Sequence, residues 1–111
     1  MSRSLAELSA LVARVSDIYA ARNDIARDDD WFMLKLQEEL GELTAEHLRL
    51  SGRGRRKGRD DAVISEARAD EAADLLAMLL LYARHNRIDL DAALERKWFR
   101  YLDGATPSAS R

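Results

Sequence analysis

Two short acidic stretches carry the chemistry that this chain offers. The first is Glu38-Glu39-Leu40-Gly41-Glu42 and the second is Glu71-Ala72-Ala73-Asp74. On a helix, residues three or four apart share a face. Glu39 and Glu42 would then point one way, and so would Glu71 and Asp74. Two such helices packed side by side bring four carboxylates together. Two anions ~4 Å apart repel by roughly 4 kcal/mol at an effective dielectric of about 20. A cluster of four calls for protons or cations, and hard oxygen donors favour magnesium or manganese.

The rest of the chain must supply the helices. Ser4 to about Arg22 reads as a first helix, opened by a Ser4/Glu7 capping box, with Leu5, Leu8, Val12, Val15 and Tyr19 on one stripe. Asn23 to Asp29 is a polar connection. A second helix spans about Asp30 to Leu50, with Asp28, Asp29 and Asp30 suited to its positive end. Its apolar face reads as Phe32, Leu36, Leu40, Leu43 and Leu50. Glu39, Glu42 and Glu46 fall on an adjoining stripe, and Glu38 points further round. Gly41 costs about 1 kcal/mol against alanine within a helix, so a close neighbour or bulky ligand, or simple tolerance, must account for it.

Ser51 to Asp61 breaks the pattern. Glycines alternate with Arg53, Arg55, Arg56, Lys57 and Arg59, which reads as a flexible basic loop. A third helix starts near Val63 or Ser65 and runs to Asn86. Its centre, Leu75 to Tyr82, is apolar nearly all round, so it should be buried on several sides. So short a chain has few helices to cover it, and a homo-oligomer centred on this helix is expected. Asp89 caps a fourth helix through Leu90, Leu94, Trp98 and Leu102, which Gly104 and Pro107 end. No stretch has the period of a strand. The expectation is an all-α bundle of about four helices over residues 1–105, with a disordered polar tail over 106–111.

Composition narrows the functions. A chain of 111 residues is one domain's worth. Its net charge of −2 gives no general attraction to nucleic acid. Without cysteine, disulfides and thiolate zinc sites are excluded. Leu75 to Ala83 is too short for the ~20 residues that a membrane span needs. The N-terminal residues lack the apolar core of a signal peptide, which makes the cytoplasm the expected location.

Taken alone, Glu38, Glu39 and Glu42 read as an exposed helix face. The second stretch changes that. Asp74 begins the apolar part of the third helix, where a carboxylate is costly unless paired or metal-bound. Arg68 and Arg84 are too far along the same helix to rescue it. Trp31 can stack on a base or serve as core. His47 and His85 have no metal-ligand spacing.

Glu-Glu-x-x-Glu, then Glu-x-x-Asp on a following apolar helix, resembles the signature of the MazG-like all-α nucleotide pyrophosphohydrolases, over roughly Trp31 to Tyr101. The resemblance implies magnesium-dependent hydrolysis of a nucleoside triphosphate, ribo or deoxy, to monophosphate and pyrophosphate, as nucleotide-pool house-cleaning in a homodimer or homotetramer. It implies Glu39, Glu42, Glu71 and Asp74 as metal ligands. Glu38 matches the motif's first glutamate, with an outer-shell or general-base role. Lys97 matches a phosphate-reaching lysine of the fourth helix, although Trp98 stands where the family's pattern has asparagine.

The chemistry agrees with the implied activity. Bare carboxylates repel a triphosphate. Magnesium, for which manganese can substitute, reverses that sign, polarises the phosphoryl oxygen and acidifies bound water. A carboxylate not spent on metal can take the water's proton, and Glu38 and Glu46 both qualify. Two rival expectations remain. One is a phosphoribosyl-ATP pyrophosphatase, similar in its Glu-Ala-Ala-Asp stretch. The other is a non-catalytic helical dimer that binds a partner or nucleic acid through loop 53–59.

Overall fold

The computed structural model describes residues 2–104, so the tail expected over 106–111 lies outside the described residues. The described residues are helical, with no strand among them. α1 spans Leu5–Asn23, α2 Asp29–Leu50, α3 Asp61–His85 and α4 Leu90–Lys97, followed by a 3-10 turn over Phe99–Asp103. Each start is set by an oxygen side chain accepting an orphan amide: Ser4 from Glu7, Asp28 from Trp31, Asp60 from Val63 and Asp89 from Ala92. The Ser4/Glu7 box forms as its spacing requires. The third helix begins earlier than its apolar pattern, because Asp60 caps it ahead of Val63. The fourth ends earlier: its α-turns stop at Lys97, and Gly104 closes the 3-10 turn at φ 91°.

α2 and α3 pack as an antiparallel hairpin, and α1 lies against α3. The connection between α2 and α3 is not the loose loop that its glycines and arginines imply. Arg49 Nε donates to the Arg55 carbonyl at 3.0 Å, and Arg56 pairs with Asp61. Arg59 reaches back to Glu46 at 3.0 and 3.3 Å. Arg53, Arg55 and Lys57 remain exposed. At the other end of the hairpin His85 bonds Asp29 and stacks near Phe32. These two ties fix how α2 lies along α3.

The buried stripe of α2 differs from the leucine face read from sequence. Phe32, Glu39 and Glu46 are its buried residues, whereas Leu40 is 49% exposed. Met33 and Leu40 on α2, and Leu76 and Leu79 on α3, are left uncovered. Met33 and Leu40 lie two turns apart on α2, and Leu76 and Leu79 one turn apart on α3, so each pair shares a face of its helix. The centre of α3 is thus covered by α1 and α2 but not all round. α4 packs chiefly on its own 3-10 turn and buries none of its residues. The Cα radius of gyration is 17.1 Å, where a compact chain of this length gives about 13 Å. No helix among the described residues is long and apolar enough to cross a membrane.

Candidate functional site

Packing α2 against α3 brings the two acidic stretches together. Carboxylate oxygens of Glu39, Glu71 and Asp74 lie within 4.8 Å of one another, and those of Glu38, Glu39 and Glu42 do the same. Glu39 belongs to both groups. It sits in the helix interface at 8% exposure, and Glu71 is half-buried beside it. Two expectations change here. Asp74 is exposed and does not itself open the buried section, so the buried acid of the cluster is Glu39. Glu38, expected to point away, joins the cluster because its side chain is long enough to turn back along α2.

Burial, then the neighbouring charges of Glu42 and Asp74, push the Glu39 carboxyl above its ordinary value. Burial likewise pushes Glu71 up to about 7, with a hydrogen bond to Glu42 and then the nearby charges adding to it. That hydrogen bond exists only while one of the pair keeps a proton. Glu71 Oε2 is buried with no hydrogen-bond partner among the described residues, and Glu39 Oε2 is in the same condition. A buried carboxylate oxygen without a donor costs free energy that a cation would recover. The donor set is entirely hard oxygen, the chemistry that fits magnesium or manganese.

One cationic side chain reaches this cluster among the described residues. Lys35 Nζ lies 3.3 and 3.2 Å from the two Glu38 oxygens and 4.0 Å from Glu39 Oε1. Lys35 was not singled out by sequence reasoning, although it stands one helical turn before Glu38 and Glu39. Glu46 is separate. Arg59 and Arg49 hold its carboxylate, and the Arg59 hydrogen bond in particular keeps it below the ordinary range. A carboxylate so held is a poor proton acceptor, which leaves Glu38 as the base candidate on the cluster.

A groove of about 470 Å³ opens between α1 and the hairpin and ends at the cluster. Val12, Val15, Tyr19, Trp31 and Met78 make its apolar walls, and Lys35, Glu39 and Asp74 form its polar end. The size falls within the usual range for small-molecule sites. Trp31 meets Phe32 edge-on with centroids 5.1 Å apart, so it belongs to the wall and to the edge of the core at once. The contribution of α1 was invisible in its own stripe, which reads as ordinary core. Lys97 is exposed on α4 and lines neither groove nor cluster, because α4 turns away from the hairpin. A Cβ at Gly41 would meet nothing within 4 Å among the described residues, so no neighbour within the chain accounts for the glycine.

Compared with known protein families, with curated proteins and with solved structures, the chain matches none.

Proposed function

We propose that this chain is a MazG-like nucleotide pyrophosphohydrolase. It cleaves a nucleoside triphosphate, ribo or deoxy, to monophosphate and pyrophosphate, and serves nucleotide-pool house-cleaning in the cytoplasm. The observation that carries the reading is Glu39: a carboxylate buried in a helix interface, shared by two acidic groups, with one oxygen unsatisfied. Glu39, Glu42, Glu71 and Asp74 would hold magnesium, or manganese in its place. The ion would supply charge for the phosphate chain and acidity for a water. Glu38, at the edge of the cluster, is placed to orient a water and receive a proton. Trp31 and the apolar walls of the groove take the nucleoside, which an acidic surface alone could not hold. Lys97 has no place in the site formed by one chain.

The working unit is a homodimer or homotetramer. Its support is the uncovered Met33, Leu40, Leu76 and Leu79, an apolar face that a lone chain leaves in water.

The test is pyrophosphate release from a panel of canonical and modified nucleoside triphosphates with magnesium. Release by the wild type that disappears in Glu42→Gln and in Asp74→Asn supports the reading. Turnover unchanged in both variants overturns it.

A further inference from the structure

Lys35 stands where the cluster meets the groove. Its ammonium straddles both Glu38 oxygens, leans towards Glu39, and lies over the Trp31 ring 6.0 Å from its centroid. It is also the cation that lines the groove, beside Glu39 and Asp74. Building on the hydrolase reading, we infer that Lys35 is an exchangeable counter-ion. It offsets Glu38 and Glu39 while no divalent cation is bound, and turns to the phosphate chain of the nucleotide once one is.

Three observations carry this. First, the cluster gathers five carboxylates and has one basic side chain in ion-pair reach among the described residues. Second, the hold on Lys35 is light. Glu38 is half exposed, the contact to Glu39 is 4.0 Å, and an exposed pair one turn apart on a helix is weak. A divalent cation on the same carboxylates outcompetes it by charge and repels it directly. Third, the ammonium is a compact charge on four rotatable carbons, so it can swing without moving α2. The groove end is the nearest place where new negative charge arrives.

An ordinary helix-surface pair makes no such exchange, and the two differ in sign. If Lys35 competes with the cation and then serves the nucleotide, removing it helps one binding step and harms the other. The experiment is calorimetry of wild type, Lys35→Met and Lys35→Arg, titrated with manganese alone and then with a non-hydrolysable nucleoside triphosphate at saturating manganese. In Lys35→Met, manganese alone should bind several-fold tighter and the analogue roughly tenfold weaker, because one charge contact to phosphate is lost. Lys35→Arg should restore both. Manganese affinity unchanged or weakened in Lys35→Met overturns the inference, and so does unchanged affinity for the analogue. Pyrophosphate release is measured separately. Opposite shifts in a protein that releases none would keep the exchange and sink the hydrolase reading.

Discussion

Glu39 and Glu46 stand two turns apart on one face of α2 and are buried to the same 8% exposure, yet only Glu46 has a guanidinium. The same residue type on the same stripe thus has two fates. Arg59 and Arg49 neutralise Glu46 near the turn of the hairpin. Glu39, further along, meets four more carboxylates and one loosely held lysine. A buried charge with a partner supports the fold, and a buried charge without one weakens it until something binds.

Arg59→Ala should therefore destabilise the protein, though less than a stranded buried charge would, because Arg49 still reaches Glu46 at 3.2 Å. Glu39→Gln should do the opposite in metal-free protein, with a gain on the order of 1 kcal/mol from relief of burial and like-charge repulsion. Urea unfolding in a chelator measures both. A Glu39→Gln variant less stable than wild type would remove Glu39 from the role given to it.

The pH dependence follows from Glu71. Its carboxyl is raised to about 7 from 4.5, so over that window the folded chain keeps a proton that the unfolded chain releases. The resulting stabilisation is complete below about 4.5 and is lost as pH rises through 7. Glu46 has the opposite sign, being lowered, and works against the fold only when pH falls below its unfolded value. Between pH 5 and 8 the Glu71 trend should dominate. Metal-free protein should melt at a temperature on the order of 5 °C higher at pH 5.5 than at pH 8. Saturating magnesium should flatten or reverse that slope, because the cation competes with the proton. Differential scanning fluorimetry across this range reads it, and an unchanged slope in Glu71→Gln would show that the proton resides elsewhere.

The uncovered leucines predict the state of assembly. Light scattering should give wild type a mass above that of one 12.6 kDa chain, and Leu76→Asp with Leu79→Asp should return it to that mass. Helical content should survive, since neither leucine lies in the buried core. A wild type that runs as one chain at every concentration would dismiss the oligomer.

The helices were legible from local chemistry. Caps at Ser4, Asp28 and Asp89 fall where their types and spacing put them, and the two acidic stretches meet as their positions on facing helices demand. The burial pattern was less legible. Leucines on α2 outnumber its buried glutamates, so periodicity alone drew the buried face through Leu40 when Glu39 occupies it. For Glu46 that choice depends on Arg59, which reaches it from beyond the turn of the hairpin. The groove was hidden for a related reason. Val12, Val15 and Tyr19 form an apolar stripe whether they press on a neighbouring helix or stand back from it, and only the tilt of α1 tells which. The 53–59 loop misled because arginine reads as solvated charge, whereas Arg56 and Arg59 here serve as ties.

Those ties have a metric consequence. Arg59 fastens the turn to Glu46, and Glu39 lies a whole number of helical turns beyond it, so the turn acts as the zero mark from which the acidic cluster is measured. A single residue inserted between Glu39 and Glu46 rotates one against the other by about 100° and lengthens the gap by about 1.5 Å. The same carboxylates would then be present in the chain with no common point to face.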